Sequence, residues 1–174
     1  ACRGGGGHTT TLRCAPAGVT VDPPSVGSVR LLRRHINDIC SIAAAPDGRI
    51  VVGSQWGVVL VLSPATGAAE ATLTGHAGGV LALCPLTDGT NRLLSGADNV
   101  VRLHDLDAAH GGVSVAPTRE YRGHTNVVNA IIELSGGRFA SGSCDWAVRI
   151  WVLESGACLA TLSGHSDWVW ALAV

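Results

Sequence analysis

The chain has 174 residues, 47% of them hydrophobic and 14% charged, with a formal net charge of −1, the balance of a globular domain with one sizeable core. All twelve basic residues are Arg, and without a Lys both the Walker-type phosphate loop and Schiff-base catalysis are excluded. No apolar run approaches the roughly 18 residues of a membrane span, and the opening ACRGGGGHTTT lacks the apolar middle of a signal peptide. The arginines are spread singly apart from Arg33 and Arg34, which leaves a nucleic-acid partner unsupported. A cytoplasmic or nuclear setting is expected.

Residues 1–26, with a GGGG run and a PP pair, read as a flexible lead-in. They hold Cys2, His8 and Cys14, the one local set of metal-ligating residue types, but in a Gly-rich tail these read as disordered, and no metal or cofactor is expected. Ser28–Arg34 then reads as a single strand. From His35 onward the chain repeats itself: His35, Gly75-His76, Gly123-His124 and Gly164-His165 are separated by 41, 48 and 41 residues. An interval of ~40 to 45 residues suits a unit of four short strands.

After the first His come NDICSIAA, the turn PDG, RIVVGS, QWG and VVLVLS, and a fourth run, AEATLT, precedes the next Gly-His. The same order of apolar runs and turn residues returns in each unit, at about 35–74, 75–122 and 123–163, with residues 164–174 opening another. The second unit is seven residues longer, and its surplus, DLDAAHGGVSVAPTRE, reads as an enlarged surface loop. No segment has helical periodicity. The expected class is all-β, with one antiparallel sheet per unit. A sheet of this size buries little alone and must stack on its neighbours. The six cysteines contain no CxxC pair and read as reduced thiols.

The third unit, SGSCDWAVRIWVLESGACLATLSGH, resembles the WD40-repeat family almost position by position, and the resemblance spans about Ser28 to Val174. It implies an incomplete β-propeller: three four-stranded antiparallel blades and the first strand of a fourth. Since closed propellers take ~4 to 8 blades, further blades in the same chain or in another would be needed to close the ring. The hallmark Trp-Asp pair is missing, replaced by Trp151-Val152 and His104-Asp105. In this family a His, a Ser or Thr, an Asp and a Trp form a hydrogen-bonded tetrad. The resemblance implies His124, Ser141, Asp145 and Trp151 for the third blade, and His76, Ser95 and Asp98 for the second, where His104 stands in the Trp place and the Ser-to-Asp spacing is one residue shorter. The first blade keeps only His35, with Trp56 in the Asp place.

His124, Ser141 and Asp145 are also the residue types of a hydrolase triad. A triad needs an exposed nucleophile, a pocket and oxyanion donors, whereas the repeat supplies a complete structural explanation, so no catalysis is expected. The resemblance further implies a partner-binding rim on the narrower, upper face, three and five residues after each His and immediately before the tetrad Asp. Those positions are Asp38, Cys40 and Gln55; Gly79, Leu81 and Ala97; and Val127, Asn129 and Cys144. Trp168 and Trp170 join them from the fourth unit, and Trp dominates binding hot spots. No Arg is among them, which argues against a phosphopeptide reader. The function implied is a non-catalytic scaffold for a protein or peptide partner. The alternative is the regulatory or substrate-recognition propeller of a larger enzyme, such as a ubiquitin ligase of the F-box WD type or a kinase.

Overall fold

Short apolar runs punctuated by glycine turns favour strands, and the described residues contain thirteen strands and no helix. The structure, a computed structural model, describes residues 38–174. The lead-in with Cys2, His8 and Cys14, the strand expected over Ser28–Arg34, and His35 lie outside the described residues.

The first sheet is built from β1 (Ile39–Ala44), β2 (Ile50–Ser54), β3 (Val59–Leu62) and β4 (Ala69–Leu73), each antiparallel to the one before. The second contains β5 (Ala82–Pro85), β6 (Arg92–Ala97) and β7 (Val100–Asp105), with β9 (Arg119–Arg122) outermost. The third contains β10 (Val128–Leu134), β11 (Arg138–Ser143), β12 (Val148–Val152) and β13 (Cys158–Leu162). These are three WD40-type blades.

Side chains alternate across a strand, so each middle strand serves two interfaces. On β6, Leu93 packs with Val51, Val61 and Leu73 of the first sheet, while Leu94 packs with Phe139, Trp151 and Leu153 of the third. Tyr121 seals the second interface. Its ring meets Phe139 edge-on at 4.7 Å, and its hydroxyl donates to the Leu153 carbonyl at 2.6 Å. Burying each such large side chain contributes about 1.5–3 kcal/mol.

Two expectations need correction. The surplus of the second unit is not a free surface loop. It contains a strand, β8 (Val113–Val115), which leaves the second sheet and pairs parallel to β4, Ala71 facing Val113 and Leu73 facing Val115. The Gly112 N–H donates to the Glu70 carbonyl (2.6 Å) and the Thr74 N–H to the Val115 carbonyl (2.9 Å). As the outermost strand of its sheet, β4 would otherwise present a row of unpaired backbone groups, and the excursion satisfies them. Leu106 and Ala109, on the way out, are buried in the first interface, where the Arg49 guanidinium donates to both of their carbonyls.

Residues 164–174, expected as a first strand, form none. The segment instead lies against the third blade. The Val169 N–H donates to the Ser143 carbonyl at 3.1 Å, and Val169 packs with Ala140 and Val148.

Gly112→Pro tests the β8 clasp, because Gly112 has a φ of +77° that proline cannot adopt and donates the bond to Glu70. Amide hydrogen exchange should speed up at Thr74 and along β4 by at least about tenfold, with β10–β12 unchanged. Unaltered protection at Thr74 would show that β8 contributes nothing.

Candidate functional site

In the third blade, the loop between β9 and β10, the middle of β11, the turn after it and the end of β12 bring four side chains into one hydrogen-bonded chain. The Trp151 indole N–H can only donate, and it does so to Ser141 Oγ at 2.8 Å. The Ser141 hydroxyl therefore gives its hydrogen to His124 Nε2 at 2.7 Å, leaving His124 Nδ1–H to donate to Asp145 Oδ2 at 2.8 Å. The Thr125 N–H closes on the same carboxylate oxygen at 3.0 Å, and the Ala147 N–H on the other at 3.1 Å. Ser141 is fully buried, and Trp151 and His124 are nearly so. Ser141 Oγ thus has no open approach for a substrate, and one of its lone pairs is engaged by Trp151. Burial lowers the His124 pKa, with Asp145 opposing. Burial alone would raise the Asp145 carboxyl, but the Thr125 N–H and His124 hold it below the usual carboxylate range.

The second blade gathers His76, Ser95 and His104 but wires them in the opposite sense. The Arg102 guanidinium donates to His76 Nδ1, so His76 Nε2–H donates to Ser95 Oγ (2.8 Å), and the Ser95 hydroxyl passes on to His104 Nε2 (3.1 Å). Asp98 stands 3.7 Å from His76 Nδ1, beyond hydrogen-bond distance, and accepts the Ala77 N–H instead. The short spacing explains this. Here β6 and β7 are joined by the two-residue turn Asp98-Asn99, with Ala97 opposite Val100, and Asp98 takes a φ of +46°. His104 Nδ1 is left buried without a partner. Arg102 was not anticipated as a member. It occupies the β7 position matching Arg149 of β12, the one signal that could have pointed to it. In the first blade Val52 and Leu62 sit where the third has Ser141 and Trp151, and both are buried. That blade has an apolar contact in place of the polar chain.

The rim positions divide. Asp38, Cys40, Gln55 and Leu81 are exposed, and Trp168 and Trp170 are 47% and 64% exposed, their rings 5.4 Å apart. Cys40 and Asn129 fall at register shifts, where β1 and β10 each carry an extra residue, and such bulges re-aim a side chain. Asn129 and Cys144 are half-buried and engage each other, the Asn129 Nδ2 also donating to the Val169 carbonyl at 3.2 Å. Val127 and Gly79 are half-buried. Ala97 is wholly buried and offers a partner nothing, because the shortened turn draws it into the first interface.

A family model described as WD domain, G-beta repeat, matches residues 67–105, 115–152 and 156–174. The chain belongs to the WD40-repeat family. It is 30% identical over 151 residues to nuclear distribution protein PAC1 of Fusarium vanettenii, covering 80% of this chain and 33% of that protein. Nuclear distribution protein PAC1-2 of Uncinocarpus reesii is 27% identical over 172 residues, covering 84% and 37%. A ribosome biogenesis protein WDR12 homolog of Chlamydomonas reinhardtii is 32% identical over 133 residues, covering 73% and 29%. The chain spans about a third of the length of these curated relatives. No helix among the described residues is long and apolar enough to cross a membrane.

The two WD40 histidine chains carry a pH signature. Burial first, then Arg102, pushes His76 down to about 4; burial, His76 and Arg102 push His104 down to about 3. In an unfolded chain each would titrate near ~6.5, so the unfolded state binds more protons below that pH. Stability is therefore full above pH ~6.5 and falls as the pH drops towards 4. Urea unfolding between pH 7 and pH 4.5 should show uptake of more than one proton; a flat profile would contradict buried neutral histidines. Asp145→Asn removes the charge-assisted bond to His124 and should cost about 1.5–3 kcal/mol at pH 7. Asp98→Asn, acting on a carboxylate that does not bond its histidine, should cost clearly less in the same unfolding assay.

Proposed function

We propose that this chain is a non-catalytic WD40 scaffold that presents its upper rim to a protein or peptide partner in the cytoplasm or nucleus, further blades in the same chain or another completing the ring. The observation that carries the reading is the contrast between the rim and what lies beneath it. Exposed Leu81 opens a strand beside the buried histidine chain of the second blade, exposed Gln55 stands on a turn above the buried Val52 and Leu62, and exposed Trp168 and Trp170 flank buried Val169, whose N–H is bonded to the Ser143 carbonyl, an arrangement in which a rigid framework positions recognition residues. His124, Ser141, Asp145 and Trp151 serve in this reading as an internal staple and not as a triad, since a nucleophile must be reachable and Ser141 is fully buried. The relatives are named for nuclear distribution and ribosome biogenesis and not for a reaction.

Affinity capture with the full chain tests the proposal. Trp168→Ala and Trp170→Ala should each reduce recovery of a captured partner by about tenfold or more without lowering the unfolding temperature. Capture untouched by either change but lost in Asn129→Ala would move the contact to the bulge of β10, beside Cys144. Hydrolytic turnover lost in Ser141→Ala would refute the scaffold reading itself.

A further inference from the structure

Four of the five tryptophans are exposed, and the backbone segments that carry three of them come together at one corner of the third blade. Trp146 is 50% exposed, and Trp168 and Trp170 face each other with ring centroids 5.4 Å apart. The corner is assembled on a single carbonyl, that of Ser143, which accepts both the Trp146 N–H (3.2 Å) and the Val169 N–H (3.1 Å). The same junction recurs one interface earlier, where the Ser54 carbonyl accepts the Gly57 and Val80 N–H groups. Trp146 therefore stands in the place of Gly57.

Gly57 has a φ of +76°, a left-handed backbone that glycine adopts without a steric penalty. Trp146 adopts the same left-handed backbone, with a φ of +68°, a conformation disfavoured for a bulky L side chain. Half-exposed, its indole recovers little of that cost by burial. A strained residue held without internal gain points to use by something outside the chain.

The chemistry of the corner indicates what that is. Indole faces attract cations, and Asp167, exposed, stands next to the pair with its carboxylate held by the Trp168 N–H at 2.7 Å. Residues 141–148 and 163–174 carry Asp145 and Asp167 but no Arg. We infer that the Trp146–Trp168–Trp170 corner docks a basic peptide segment, an Arg of the partner stacking on the exposed indoles with its guanidinium paired to Asp167. Arg fits better than Lys because its planar head both stacks on an aromatic face and bonds a carboxylate. The inference rests on the proposed role of the rim and names the partner's chemistry.

The test titrates the full chain with a capped hexapeptide carrying two central arginines, and with its citrulline counterpart, which keeps the shape and loses the charge, following indole fluorescence and heat. Saturable binding of the Arg peptide is expected, at least about tenfold tighter than citrulline. Trp146→Gly and Trp170→Ala should each weaken it about tenfold, and Asp167→Asn several-fold with the largest loss at low salt. Trp146→Gly restores the residue type of Gly57 and should leave the unfolding temperature unchanged or higher, so loss of binding there cannot be loss of fold. Equal binding of citrulline, wild-type affinity in the variants, or no saturation at millimolar peptide would overturn the proposal. Self-association of the chain abolished by the same changes would overturn it in favour of a second copy as occupant. Binding of an acidic or apolar peptide, lost in these variants, would overturn the cationic class alone and leave the rim as the partner-binding face.

Discussion

A sheet of four strands, each four to seven residues long, has two faces to bury and too little chain to cover either. In this molecule the cover is always the neighbouring sheet. Leu93 and Leu94, adjacent in β6, point into different interfaces, one shared with Val51 and Leu73 and the other with Phe139 and Trp151. Covalent order reinforces the sharing. The family units begin at residues 67, 115 and 156, so β4 belongs to one sequence unit and is hydrogen-bonded into the sheet of the unit before. Separating two of these sequence units would break a strand pairing as well as expose a core.

Buried polar groups on those shared faces are stabilising only when every partner is present, and the three blades meet that demand differently. The third has a complete chain from Trp151 to Asp145. The second replaces indole by imidazole and carboxylate by guanidinium; the hydrogen bonds then run from Arg102 towards His104, and one ring nitrogen is left unsatisfied. The first, with Val52 and Leu62, has no polar group there to satisfy. The blade with the apolar contact is also the one that receives an extra strand. Through β8, with Leu106 and Ala109 in the core and Arg49 bonded to their carbonyls, the second unit holds the first by a route independent of the polar chain.

Above this framework the rim is uneven, and the unevenness follows from turn length. Four-residue turns after β2 and β11 leave room for the bulges at Cys40 and Asn129. The two-residue turn at Asp98-Asn99 leaves β5 and β6 in unbroken register and draws Ala97 inside. Aromatic exposure is concentrated on the third blade, where the Ser143 carbonyl gathers the backbone on either side of Trp146 and Val169. Rigidity below and large, partly apolar side chains above are the conditions under which a surface binds without rearranging.

The sequence by itself determined the repeat, the strand runs and the identity of the blade 3 chain, because these depend on spacing along the backbone: how far His124, Ser141, Asp145 and Trp151 lie from one another decides which strands can carry them to one point. The shortened Ser95–Asp98 interval was legible for the same reason, as a departure. Its consequence was not. That Arg102 would take up His76 while Asp98 turned away depends on the direction of a two-residue turn and on which cation lies across the strand. The excursion at residues 105–118 looked like a loop because its three-residue strand has too little pattern to announce itself, and its partner, the open edge of β4, lies some forty residues upstream. Residues 164–174 have the pattern of a strand, but in the structure Val169 lies against the third blade, its N–H on the Ser143 carbonyl. Nothing in the sequence marks Trp146, beside a tetrad residue, because its left-handed backbone and its exposure belong to the folded turn that carries it. Local spacing sets what each unit can become, and only the tertiary structure decides which backbone edges and polar atoms meet, because those encounters depend on groups remote in the chain.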